Sequence, residues 1–203
     1  MQQLLMATRN HTKYLIYEPI FRRYGFETIT LKDIQTDGPP DTETGKTPAE
    51  NALAKARRYH SRKYPWVFGT DAGLEIDALN GEPGLMARRW GGRFPDDVDD
   101  EMWLSYFLER MKGVPLELRT GSHVIARVLV APDGSEHVQR VRHSFRIATE
   151  QIRPIPPGAP LSAVKIGPEN AIEARSEVIF QEIEQWGVLA KLLQEFPIER
   201  SPQ

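Results

Sequence analysis

Cysteine is absent from the 203 residues. That excludes a disulfide framework, Cys-ligated zinc and a thiol nucleophile, and it leaves the compartment unreadable from redox chemistry. No apolar run approaches the roughly 18–20 residues that cross a bilayer. Net charge is nearly absent as well, since 26 Lys+Arg face 28 Asp+Glu for a total of −2. This argues against a protein that coats a nucleic-acid polymer by bulk electrostatics, though not against a small, strongly charged pocket. Internal repeats and low-complexity tracts are lacking. The start, Met1 to Thr8, has neither the basic flank nor the long apolar core of a signal peptide, so a soluble cytoplasmic protein is expected.

What is present is an ordinary globular composition, 40% hydrophobic and 27% charged, in a length suited to one domain or to two small lobes sharing a core. Proline stands out at 16 residues, five of them between 154 and 168. Residues 3–8 read as a buried strand. A helix follows from about Thr12 to Tyr24, which Pro19 should kink or interrupt. Residues 26–31 alternate like a second strand, so the chain opens strand–helix–strand, an α/β signature with a partly parallel sheet.

Thr47-Pro48-Ala49-Glu50 is a capping box with Pro at the first helical position. The helix it opens should run to about Tyr64, before Pro65. Residues 66–70 read as a buried strand ending at Asp71-Ala72-Gly73, residues 74–79 as a further strand, and Asn80-Gly81 as a turn. An amphipathic helix fits 97–112. Two long antiparallel strands fit 116–131 and 136–150 around a turn at 132–135. The Pro-rich stretch 154–168 reads as an irregular loop, and a last helix fits 184–195.

Polar residues gather in three places. In Thr8-Arg9-Asn10-His11-Thr12-Lys13, helix-start N–H groups and Lys13 form a natural phosphate site without a Walker pattern. By itself this segment reads more simply as a polar turn with a solvated Lys. In the second, Glu43 precedes a helix carrying Glu50 and Lys55. Glu43 suits a Mg²⁺ ligand and Lys55 an anion contact, but Glu50 is explained by capping and Lys55 equally as a surface charge. In the third, Asp71 follows a buried strand among small residues, as a metal ligand or general base requires, and as a turn-closing Asp also would.

Taken together, the clusters resemble the Ham1/inosine triphosphatase family. The first motif, Thr-x-Asn-x-x-Lys, is met by Thr8, Asn10 and Lys13. The second, Glu-Thr-Gly-x-Thr-x-x-Glu-Asn-Ala-x-x-Lys-Ala, is met by Glu43, Thr44, Gly45, Thr47, Glu50, Asn51, Ala52, Lys55 and Ala56. The third is met by Asp71, Gly73, Leu74, Asp77, Leu79, Gly81, Pro83, Gly84, Arg89 and Trp90. The match covers about residues 3–93 and continues weakly through 97–112.

The resemblance implies an α/β fold with a long, twisted, mixed sheet in two lobes, flanking helices and a cleft between the lobes. It would be a single domain over 1–203. One lobe would hold the phosphate motifs (about 1–95) and the C-terminal helix, and the other would span about 96–165. The implied activity is Mg²⁺-dependent hydrolysis of nucleoside triphosphates, with deaminated purines such as ITP, dITP and XTP as family substrates, to the monophosphate and pyrophosphate by a homodimer. Glu43 and Asp71 would hold Mg²⁺, and Asp71 would orient and deprotonate water, with Lys13 and Lys55 as the other catalytic groups. Thr8, Asn10, Lys13, Lys55, Gly73, Arg89 and Trp186 would contact substrate.

Two departures qualify this. Where the family has two adjacent Asp residues, this chain has Thr70 before Asp71, and a hydroxyl is a weak metal ligand and a poor base, so slower catalysis is expected. The family's purine-reading segments, aromatic-Gly-aromatic-Asp-Pro and Ser-His-Arg, have no counterpart. Glu184-Gln185-Trp186 stand where Ser-His-Arg would be. Trp186 would stack on a base, or else be a core aromatic under the last helix. His123, Arg127, Arg142, His143 and Arg146 would line a pocket or form a solvated face. A weakly active or non-catalytic nucleotide-binding protein is the alternative.

Overall fold

The computed structural model describes residues 2–34, 44–167 and 172–198. Strand β1 (Gln2–Met6) leads to helix α1 (His11–Arg23) and strand β2 (Phe26–Thr30). Helix α2 (Pro48–Tyr59) precedes strand β3 (Val67–Ile76) and the two-residue strand β4 (Pro83–Gly84). Helix α3 (Asp100–Arg110), the long strands β5 (Thr120–Val130) and β6 (Glu136–Ile147) and the short β7 (Lys165–Ile166) follow. Helices α4 (Ile172–Trp186) and α5 (Val188–Glu195) complete the described chain. The strand order is β2-β1-β3-β5-β6-β7, with β4 paired to β3. Strand β1 runs parallel to β2 and β3, whereas β4 and β7 pair antiparallel. The architecture is therefore α/β on a mixed sheet, as expected.

Two compact units divide the chain. The first comprises Met1–Asp71, Ala126–Arg140 and Glu169–Gln203, and the second Ala72–Ile125 and Val141–Pro168. Within the first unit, period-two alternation sends side chains to two faces. Leu4, Met6, Trp66, Phe68 and Leu129 join Ile16, Ile20 and Phe21 of α1, Ile179 and Ile183 of α4 and Leu192 of α5 in one core. Leu5, Ala7, Val67, Val128 and Val130 join Ala49, Ala52 and Ala56 of α2 in another. In the second unit, α3 supplies Trp103, Leu104 and Phe107 to a core with Leu74, Ile76, Trp90 and Ile147.

Several boundaries differ from the sequence expectation. Helix α1 runs through Pro19 without interruption. The lost hydrogen bond and ring clash cost about 3 kcal/mol, but Ile16, Tyr17, Ile20 and Phe21 are all buried, each worth about 1.5–3 kcal/mol. Helix α2 stops at Tyr59, short of Tyr64. His60 turns extended, its Nε2 meets the Ala131 carbonyl oxygen at 3.0 Å, and Ser61 and Tyr64 close a separate turn. The last helix is two helices, broken where Gly187 takes φ 71°. In the Pro-rich stretch, Pro160–Ala163 forms a 3₁₀ turn and Lys165–Ile166 pairs with β6, so that part is not irregular.

Strand β3 is longer than its sequence suggests, and the extra length carries expected site residues. Asp71-Ala72-Gly73 is not the end of the strand that holds Thr70 but the middle of one ten-residue strand. Pairing partners override the turn propensity of these residues. The Thr70 hydroxyl donates to the Ala126 carbonyl oxygen at 2.9 Å.

Candidate active site

Strand β1 ends at Met6, which pairs with Phe68, so β3 outruns β1 and carries Asp71 past the carboxyl end of its parallel neighbour. That is where ligand sites form in α/β sheets. Asp71 shares the Val67–Gly69 side of the strand, which packs on α2. The approach of α2 is close at Gly69, where the helix presents only Ala52 and Ala56. A Cβ built on Gly69 would lie 2.4 Å from the Ala52 carbonyl oxygen and 3.2 Å from the Ala56 Cβ, and Ala52 and Ala56 are fully buried.

This packing presents Asn51 and Lys55 to Asp71. The Asn51 Nδ2 donates to Asp71 Oδ2 at 2.9 Å, and Lys55 Nζ stands 3.7 Å from Asp71 Oδ1. From the other direction, Lys13 Nζ donates to the Thr70 carbonyl oxygen at 3.1 Å and stands 3.9 Å from Asp71 Oδ1. Lys13 is delivered by the start of α1. There the Asn10 side chain caps the helix by accepting from the Lys13 amide at 3.2 Å, and the Asn10 amide donates to the Thr8 hydroxyl at 3.1 Å.

Asp71, Lys13 and Lys55 thus form one constellation, with side-chain exposures of 10%, 28% and 13%. Two ammonium groups face one carboxylate, so the trio carries a net positive charge. In a partly desolvated setting that arrangement attracts a polyanion and keeps a carboxylate beside it. Among the described residues no group of three or more His, Asp or Glu is placed to hold a metal. A single carboxylate still suits Mg²⁺, which usually binds through one or two carboxylates plus substrate phosphate oxygens and waters.

The remaining expected site residues lie as follows. Glu43 is outside the described residues. Thr47 caps α2 as expected, but the Glu50 side chain accepts from the Lys46 amide at 2.7 Å, one residue before the N-cap amide that a capping box would use. Gly73 lies two residues beyond Asp71 on β3, in the second unit. Arg89, also in the second unit, forks onto the Asp96 carboxylate with Nη2 at 2.6 Å. Its guanidinium holds the Asp96 carboxyl below the usual range. Trp186 ends α4, partly buried against the core formed with α1.

Arg127 is neither on a solvated face nor in an open pocket. It is fully buried, bonded to the Tyr17 hydroxyl at 3.0 Å, Gln139 Oε1 at 2.8 Å and Glu182 Oε2 at 2.6 Å. In the second unit, Arg142 pairs with Glu75 at 2.6 Å and His123 packs on Phe145 with ring centroids 5.0 Å apart. The motif match included Asn51 but assigned it no role. Its place between two charged motif positions was the available signal.

Residues 4–153 match the model of the Ham1 family. A relative from Symbiobacterium thermophilum, named dITP/XTP pyrophosphatase, is 30% identical over 96% of this chain and 98% of its own length. A protein of the same name from Mycolicibacterium paratuberculosis is 38% identical over 74% of this chain and 72% of its own. Among solved structures, a nucleoside-triphosphatase / dITP/XTP pyrophosphatase from Mycobacterium abscessus superposes with a TM-score of 0.64 at 26% identity, covering 98% of this chain and 100% of the other. A HAM1 protein from Coxiella burnetii, at 21% identity, shares the fold with a TM-score of 0.71 over 91% of this chain and 100% of the other. Among the described residues no helix is long and apolar enough to cross a membrane.

Proposed function

The chain belongs to the Ham1 family, and from that we propose that it hydrolyses non-standard purine nucleoside triphosphates such as dITP, XTP and ITP to the monophosphate and pyrophosphate. The observation that carries this reading is the Asp71 carboxylate, set between the ammonium groups of Lys13 and Lys55 and pinned by Asn51.

The triphosphate tail carries about four negative charges, and Lys13 and Lys55 offset part of that charge. Asn10 and the N–H groups at the start of α1 cradle phosphate oxygens. Asp71 orients the attacking water and accepts its proton as the anhydride between the α- and β-phosphates is cleaved. Mg²⁺, held by Asp71 and, on the strength of its motif position, by Glu43, would neutralise phosphate charge and polarise the phosphoryl group. Thr8, Gly73, Arg89 and Trp186 belong to the same proposal as substrate contacts. A cytoplasmic homodimer folded as one domain completes it.

One observation favours the alternative, a weakly active or non-catalytic nucleotide binder. Thr70 stands where the family has a second Asp, and its hydroxyl is committed to the Ala126 carbonyl oxygen. The two readings separate in a panel of standard and deaminated triphosphates, assayed for pyrophosphate with and without Mg²⁺. Release from deaminated purines that Asp71→Asn abolishes while nucleotide binding survives is the expected result. Thermal stabilisation by a nucleotide with no release from any would establish the alternative, and full turnover by Asp71→Asn would remove Asp71 from the chemistry.

A further inference from the structure

We propose that Asn51 is the positioning residue of the reaction, holding the Asp71 carboxylate in its working orientation through one amide that the loop before α2 fixes in turn. The inference rests on the reading that Asp71 acts on the attacking water.

Asn51 is 4% exposed and uses both ends of its side chain. The Nδ2 donates to Asp71 Oδ2 at 2.9 Å, and the Oδ1 accepts from the Gly45 amide at 2.8 Å. The second bond settles the amide's orientation. A backbone N–H demands the oxygen, so the nitrogen must face Asp71. The donor is therefore fixed on the carboxylate by protein groups alone. With Oδ2 occupied by Asn51, the Oδ1 edge is the one turned toward Lys13 and Lys55. A carboxylate is two-fold about its terminal bond and broad in that torsion, so without this donor either oxygen would serve at either edge. Capping does not require the Asn51 side chain: the Thr47 hydroxyl accepts from the Glu50 amide, and the Asn51 amide itself bonds to the Thr47 carbonyl oxygen.

Gly45 is the other half of the device. A Cβ there would sit 2.5 Å from Asn51 Oδ1 and 2.8 Å from the Glu50 Cβ. Only a residue without a side chain lets the loop amide come this close. Gly45 and Asn51 thus act as one unit, six residues apart, on a carboxylate twenty residues further along the chain.

The test measures steady-state kinetics with dITP and Mg²⁺, thermal unfolding, and equilibrium binding of the non-hydrolysable α,β-imido analogue of dITP. Asn51→Ala removes both bonds, and Asn51→Asp keeps the acceptor for Gly45 but loses the donor to Asp71. Both are expected to lower kcat by about 10–100-fold, the usual effect of losing such a supporting partner, with KM and analogue affinity within about twofold. In the Gly45→Ala/Asn51→Ala double variant the losses should not add, because both act through the same amide. Unchanged kcat in Asn51→Ala overturns the proposal. So does a parallel collapse of binding and unfolding temperature in both single variants, since that marks a structural role. Asp71→Asn separates the layers: if it retains turnover, the reading of the site fails. If it is inactive while Asn51→Ala is fully active, only the positioning role fails.

Discussion

Gly69→Ala tests whether the site depends on how closely α2 lies on β3. The new Cβ would be 2.4 Å from the Ala52 carbonyl oxygen, 3.3 Å from the Ala52 carbonyl carbon and 3.2 Å from the Ala56 Cβ. The first obstacle is helix backbone, which has no rotamer to change. Carbon–oxygen contacts settle near 3.3–3.6 Å, so helix and strand must separate by about 1 Å. Overpacking of this kind costs about 1–3 kcal/mol, or about 2–12 °C in Tm for a chain of this size. The kinetic effect should be larger. Asn51 and Lys55 ride on α2 and meet Asp71 on β3 at 2.9 and 3.7 Å, and an ångström of misplacement at a reacting centre costs on the order of 100-fold in rate. Pyrophosphate release under saturating dITP reads the rate, and differential scanning fluorimetry reads Tm. A variant with unchanged kcat and Tm would show that the α2–β3 spacing does not set the geometry. A lowered Tm with unchanged kcat would show that the constellation tolerates an ångström of movement.

Lys13→Ala is expected to raise KM or lower turnover by a similar factor for every triphosphate whatever its base, because Lys13 sits with the phosphate elements; a base-selective effect in the substrate panel contradicts that role. Arg127→Ala leaves Glu182, Gln139 and the Tyr17 hydroxyl without their shared donor and should cost about 3–5 kcal/mol in urea unfolding; a loss under about 1 kcal/mol would mean the buried pair contributes little. Hydrogen bonds from the Thr30 side chain, Arg110 and Arg57 hold the carboxyls of Asp33, Glu82 and Glu136 below their ordinary values. A folded pKa below the unfolded one gives stability that is complete above the unfolded value of about 4 and is lost as pH falls through the folded value. Tm should therefore hold above about pH 5 and decline toward pH 3, and a flat or rising Tm across that interval would refute the assignment.

Much of this protein was legible in the linear chain because it depends on neighbours in sequence. The Thr47 cap with Pro48 after it, the Asn80-Gly81 turn and the buried strand of Leu4, Leu5 and Met6 are local and obey local rules. The resemblance of the three clusters to the Ham1 family also singles out Lys13, Lys55 and Asp71, which the fold brings together. Where local rules gave a different answer, distant partners had decided the matter. Pro19 stays inside α1 because the residues around it are buried among strands and C-terminal helices.

Only the tertiary structure carried the strand on from Thr70 through Asp71-Ala72-Gly73, since hydrogen-bond partners such as the Ala126 carbonyl oxygen lie tens of residues away. The same holds for Arg127. Its alternation in a strand suits a wet face or a pocket equally, and the arrival of Tyr17 and Glu182 from α1 and α4 made it a buried donor. Asn51 marks the boundary most clearly. The sequence by itself determined that an Asn stands between Glu50 and Ala52 in a helix that starts at Pro48. The small contact formed by Gly69, Ala52 and Ala56 decided that its amide meets Asp71. Residue type is a property of one position, whereas a 2.9 Å hydrogen bond is set by how two elements pack.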